Sequence, residues 1–251
     1  MPAHPAGAGT AAGARFASAF ALRREGPKPR RMTQSLDMTL DELRDALAES
    51  VAAEAAFDGW GEQALAAAAA TLGVPADRAR LAFPEGATQM IDAWFAAIDR
   101  RMAEALPPDR LGALRIRARI EALVLARIES AAPHKEALRR ALAVLARPAH
   151  ATTTAKLAWR AADAMWRLAG DDATGFAHYS KRLTLAGVYG STLLAFLDDE
   201  SEGHADTKAF LARRIEDVMR FEKWKAQVKP DPDLHFNVAR FLGRLRYPTN
   251  G

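Results

Sequence analysis

Apolar residues in this chain recur at helical spacing, three or four apart, almost from end to end. Leu40, Leu43, Leu47 and Val51 step along one face, and Thr39 with Glu42 supplies a capping box, so a helix is predicted from Leu40 to about Ala56. Gly59 breaks the pattern. A second helix follows from about Gly61 to Leu72 and is stopped by Gly73. Pro75 opens a short third one, Asp77 to Phe83, which Pro84 ends. Ala87 to Leu106 is amphipathic, with Ile91, Trp94, Phe95, Ile98 and Met102 on its apolar side. Further helices are predicted over Arg110–Ser130, His134–Arg147, Thr152–Ala169, Thr174–Leu197, Asp206–Lys229 and Leu234–Tyr247, punctuated by Pro133, Pro148, Gly170 and Pro230. That is about ten helices, with no repeat of fixed period and no strand or tight-hairpin pattern. The expected class is all-α.

Composition sharpens this. Of 251 residues, 49% are apolar, enough for a substantial core. The absence of cysteine removes disulfides, thiolate nucleophiles and Cys-ligated zinc. No apolar run reaches the ~18 residues of a membrane-spanning helix. The isoelectric point near 9.6 points toward nucleic acid until the charge is located. Residues 1–31 hold Arg15, Arg23, Arg24, Lys28, Arg30 and Arg31 against Glu25, a local charge of +5; the whole chain carries +4, which leaves the remainder at −1. The folded part therefore has no excess charge for a phosphate backbone.

Four segments are expected. Residues 1–31 are rich in Ala, Gly, Pro and Arg, and read either as a disordered, transit-like extension or as a non-native leader ahead of a true start at Met32. Residues 32–86 form a helix-turn-helix-like head, 87–229 a larger body and 230–251 an amphipathic end helix. In that end helix Leu234, Val238, Phe241, Leu242 and Leu245 share one face, flanked by Arg240, Arg244 and Arg246, whereas Phe236 and Tyr247 point elsewhere. Such a stripe suits the boundary of an anionic bilayer; docking on the body or on a second copy is the other reading.

The head, through Phe57-Asp58-Gly59-Trp60, Ala66, Leu72-Gly73-Val74, Phe83 and Glu85, resembles the DNA-binding domain of the tetracycline-repressor family. The would-be recognition helix departs from that pattern. It lacks the hydroxyl and Tyr phosphate contacts, Asp77 repels DNA, and only Arg78 and Arg80 remain to reach it.

Residues 161–201 carry a narrower resemblance. Met165-Trp166, Ala169-Gly170-Asp171, Phe176, Tyr179, Lys181-Arg182, Leu185-Ala186, Val188-Tyr189 and Asp198 are similar to the lipid-binding accessory family of ubiquinone biosynthesis, the ninth coenzyme Q biosynthesis protein family. The likeness extends over roughly residues 36–228. It implies a tetracycline-repressor-like fold, homodimers, a cavity for an isoprenoid quinone precursor or a phospholipid, membrane association, and delivery of the substrate to a di-iron demethoxyubiquinone hydroxylase. It implies a partner contact at Met165, His178 and Tyr179, with His178 where other members can carry Trp. The location implied is the cytoplasmic face of the inner membrane in a bacterium, or the matrix face in a mitochondrion. A tetracycline-repressor-type transcription regulator is the alternative; DNA is not the expected partner.

Side-chain chemistry fits the non-enzymatic reading. There is no phosphate-binding loop, dinucleotide Gly motif or nucleophile elbow. No histidine has the Glu three positions earlier that a di-iron bundle needs. No catalytic residue, metal or cofactor is expected. Candidate cavity walls are Ile116, Ile120, Leu123, Leu142, Leu157, Trp166, Leu168, Leu193 and Phe196, residues that would equally fill an ordinary core. Met165 and Trp166 lie about 100° apart on a helix, so one is expected in the core and the other outward or toward the cavity. Asp171 reads as a helix cap and Lys181-Arg182 as a solvated face.

Overall fold

The computed structural model describes residues 37–227; the leader at 1–31 and the end helix of Leu234, Val238, Phe241, Leu242 and Leu245 lie outside them. The described residues form α1 (Leu40–Asp58), α2 (Glu62–Leu72), α3 (Ala76–Ala82), α4 (Ala87–Ala105), α5 (Pro108–Gly112), α6 (Ile116–Ala131), α7 (Lys135–Leu145), α8 (Ala151–Leu168), α9 (Gly175–Asp198) and α10 (Ala205–Gln227), with single 3₁₀ turns before α7, α8 and α10. No strand occurs among the described residues.

Local chemistry fixes the boundaries. The Thr39 hydroxyl accepts from the Glu42 amide, and the Glu42 carboxylate accepts from the Thr39 amide at 2.7 Å, closing the capping box that starts α1. Gly73 takes a left-handed conformation (φ 68°), and the Val74 amide reaches back to the Ala69 carbonyl at 2.8 Å, a Schellman ending for α2. The helix predicted from Arg110 is divided: α5 stops at Gly112 and α6 begins at Ile116. Arg119 explains how the break is tolerated. Its guanidinium donates to the carbonyls of Leu114 and Gly112, which a continuous helix would have paired with amides.

The head (α1–α3) and the body share one apolar core. Leu43, Leu47 and Val51 of α1 are fully buried where that helix packs on α2, α4 and α7, each contributing about 1.5–3 kcal/mol. Trp60, in the α1–α2 turn, stacks on Trp94 of α4 at 5.5 Å and donates its indole N–H to the Ala137 carbonyl of α7 at 3.0 Å. Arg100 and Arg101 of α4 pair with Asp45 and Glu49 of α1. The head is thereby tied to the body by burial, a buried hydrogen bond and two ion pairs.

Beyond α4 the body is built from α6, α8, α9 and α10. Helix α8 pairs with α9, α9 with α10, and α10 returns to α6. The α9–α10 corner is held by Asp199, which is buried and accepts from the amide and hydroxyl of both Ser201 and Thr207 at 2.5–2.8 Å. Those hydrogen bonds, Ser201's first and then Thr207's, outweigh burial and hold its carboxyl far below the ordinary range.

Candidate functional site

Where α10 closes against α6, α8 and α9, the side chains do not meet. A pocket of about 380 Å³ remains, walled by Ile116, Ile120, Trp166, Phe176, Leu185, Val188, Ile215, Val218 and Met219, with Ala177, Ser180 and Thr184 completing its α9 side. Arg117, Lys181 and Glu222 bring charge to the lining. Phe176 is 84% exposed, and Ile116 and Met219 are also exposed, so the chamber opens to the outside through an apolar rim. Its size and mainly apolar walls are those of a small-molecule site.

Three of the cavity residues expected from sequence, Ile116, Ile120 and Trp166, line this pocket. Leu123, Leu157, Leu193 and Phe196 belong to the buried core instead, and Leu142 and Leu168 pack half-buried against it. Sequence reasoning missed the α10 wall, Ile215, Val218 and Met219, because nothing in one amphipathic helix tells which apolar neighbours face a space and which face one another.

Met165 and Trp166 divide as helical geometry requires: Met165 is fully buried in the core and Trp166 turns to the pocket. Full burial also corrects the expectation that Met165 stands at a partner contact. In this fold it has no exposed surface to offer. His178 and Tyr179 do reach the surface, Tyr179 at 59% exposure. With Trp159 of α8 they form a three-ring cluster, centroids 5.3–6.1 Å apart. Phe176, Leu183 and Leu194 extend the exposed apolar stripe along α9.

Between pocket and rings lies a buried charge network, where the expected solvated face and simple helix cap are both corrected. Arg182 is 2% exposed; its guanidinium donates to Asp163 at 2.6 Å, to Asp171 at 3.2 Å and to the His178 carbonyl at 3.1 Å. Lys181 donates to the other Asp171 oxygen at 2.6 Å and lies 5.3 Å over the Trp166 ring, whose indole N–H donates to the Lys181 carbonyl at 3.0 Å. Burial raises the Asp171 pKa, but the hydrogen bonds and charges of Lys181 and the Arg182 bond outweigh it, so the carboxylate stays below its ordinary value. Adjacent basic residues looked solvated in sequence because the two acids that bury them lie 10 and 19 positions away.

The arginines of the head have partners within it. Arg78 donates to the Met38 carbonyl, Arg44 to the Ala82 carbonyl and Asp41, and Arg80 pairs with Asp77 and Glu62. No cluster of metal-binding side chains and no helix long and apolar enough to cross a membrane occurs among the described residues.

Comparison with known proteins places this architecture. Residues 151–222, from the start of α8 into α10, match the COQ9 family model. The mitochondrial ubiquinone biosynthesis protein COQ9 of Rattus norvegicus is 31% identical over 178 residues, 68% of this chain and 57% of that protein. The Homo sapiens protein of that name is 30% identical over 178 residues, 68% of this chain and 56% of its own length. The Drosophila melanogaster one is 27% identical over 194 residues, covering 76% and 59%. The chain thus spans less than three fifths of the length of these relatives. In three dimensions it is similar to the TetR transcriptional regulator from Nitrosomonas europaea ATCC 19718, with a TM-score of 0.57 and 26% identity over 70% of this chain and 97% of that one. By its sequence relatives, its matching helices and its fold, the chain belongs to the COQ9 family of ubiquinone biosynthesis proteins, on a tetracycline-repressor-like frame.

Proposed function

We propose that the chain is a lipid-binding accessory protein of ubiquinone biosynthesis, which shelters an isoprenoid quinone intermediate and presents it to a demethoxyubiquinone hydroxylase at the membrane. The observation that carries this is the apolar pocket opening beside Phe176, three residues from Tyr179 on the same helix. A prenyl chain gains about 0.8 kcal/mol for each CH₂ taken out of water, which such walls supply. The His178–Tyr179–Trp159 rings offer an amphipathic docking surface next to the opening. The exposed stripe of Phe176, Leu183 and Leu194 suits a protein partner, either the hydroxylase or the second subunit of a homodimer. The protein contributes binding and orientation, and the hydroxylase the chemistry. Its place is the inner membrane surface, on the cytoplasmic side in a bacterium or the matrix side in a mitochondrion; deletion of residues 231–251 is expected to weaken binding to liposomes. A DNA-binding role is disfavoured by the engaged Arg44, Arg78 and Arg80.

The test is mass spectrometry of lipid carried by the purified full chain, wild type against Val188→Trp, which fills the pocket. The wild type is expected to retain prenylated quinone precursor or phospholipid, and the variant about tenfold less at unchanged Tm. Equal lipid on both would remove the pocket from the proposal, and sequence-specific DNA binding by a lipid-free wild type would favour the regulator.

A further inference from the structure

The cation nearest the pocket's Trp166 wall is already answered by an anion. Lys181, whose ammonium belongs to the lining, is held by an Asp171 carboxylate that is only 3% exposed, and lies over Trp166 rather than free in the chamber. The Lys181 side chain is partly exposed, but the carboxylate that holds it is buried. Asp171 is itself fixed from behind by Arg182, whose side chain is equally buried and also held by Asp163. Arg117, on the exposed rim, acts on Glu216, a carboxylate engaged first by Arg220.

An acidic head group drawn past the exposed rim, where Arg117 stands, toward Trp166 would therefore shed water without gaining the Lys181 ammonium, which Asp171 already holds. Burying a charge on those terms is strongly unfavourable, whereas an uncharged chain loses nothing by it. Resting on the reading of the pocket as a lipid site, we infer that it selects uncharged lipids over acidic ones and that Asp171 is the specificity-determining residue, because it withholds the Lys181 ammonium from the ligand. Residues that reject a wrong ligand this way act through an absence of complement rather than a clash.

The discriminating pair is geranylgeraniol and geranylgeranyl diphosphate, identical in chain and opposite in charge, measured by equilibrium binding of the radiolabelled compounds to the full chain. Wild type is expected to bind the alcohol at least about tenfold more tightly, and Asp171→Asn, which frees Lys181, to narrow that ratio about fivefold, with the added Lys181→Met restoring it. Because Asp171→Asn also loosens Arg182, Lys181→Met alone is the independent check: it is expected to leave the diphosphate's affinity within about twofold of wild type. A tenfold loss of diphosphate binding in that variant would make Lys181 an anion ligand and overturn the inference. Equal binding of both probes by wild type would overturn it while leaving the lipid reading intact; no binding of either would remove both.

Discussion

Replacing Asp199 with alanine tests whether one carboxylate holds the wall of the pocket. Asp199 accepts four hydrogen bonds, from the amides and hydroxyls of Ser201 and Thr207, and so caps the first turn of α10 from outside the helix. Thr207 is 1% exposed, so its amide and hydroxyl would be left without acceptor or water, whereas half-buried Ser201 can turn to solvent. Charge-assisted bonds are worth about 1.5–3 kcal/mol each but do not add when they share an acceptor. Losing the two buried ones together with the cap gives about 3–4 kcal/mol for Asp199→Ala at neutral pH. Urea unfolding followed by far-ultraviolet circular dichroism would measure this, with a fall in Tm of about 10 °C. The sign of the pH dependence follows from the lowered pKa. A carboxyl depressed in the folded state stabilises above the ordinary value near about 4, and that contribution fades as pH falls toward the depressed value. The gap between wild type and variant is thus expected to stay constant from about pH 5 to 8 and to shrink below about pH 4. A loss under about 1 kcal/mol, or a gap that does not change in acid, would refute the cap as drawn.

Other substitutions probe the remaining contacts. Arg182→Met removes the buried cation shared by Asp163 and Asp171, leaving them to Arg167 and Lys181, and is expected to cost about 2–4 kcal/mol by denaturant titration, with no rescue by salt. Trp60→Phe keeps an aromatic ring against Trp94 but deletes the buried bond to the Ala137 carbonyl, which retains its place in the α7 ladder, and a loss of about 0.5–1.5 kcal/mol is expected in the same assay. Arg80→Ala removes only exposed ion pairs; a stability change under about 0.5 kcal/mol is expected, and mobility-shift assays should find no specific DNA complex before or after it.

How far this was legible in sequence differs between frame and site. Helix positions were readable because capping chemistry is local: Thr39 with Glu42, Gly73, and the prolines each act within a turn of where they stand. The division at Gly112 was not, since the guanidinium that satisfies the broken carbonyls comes from Arg119, on the next helix. Family membership was legible in the Trp166-to-Arg182 pattern, yet the reason for that pattern was hidden. Asp171 and Arg182 form a buried pair that Lys181 joins from the half-exposed edge, visible only once α8 and α9 are packed together. The pocket was half-read through Ile116, Ile120 and Trp166, while its α10 wall depended on how that helix returns to α6.

Arg119 reaches further than the α5–α6 break. Its second nitrogen donates to the Ala169 carbonyl at 2.9 Å, just past the end of α8, so a single fork spans from the beginning of one pocket wall to the finish of another. Gly170 follows directly, and its φ of 83° is a conformation that favours glycine. A brace of this kind fixes the separation of α6 and α8 whether or not anything lies between them. The chamber then keeps its width when empty instead of collapsing, and under the lipid-binding function proposed above a guest need not first pry the helices apart, so little binding energy is spent on rearranging the host.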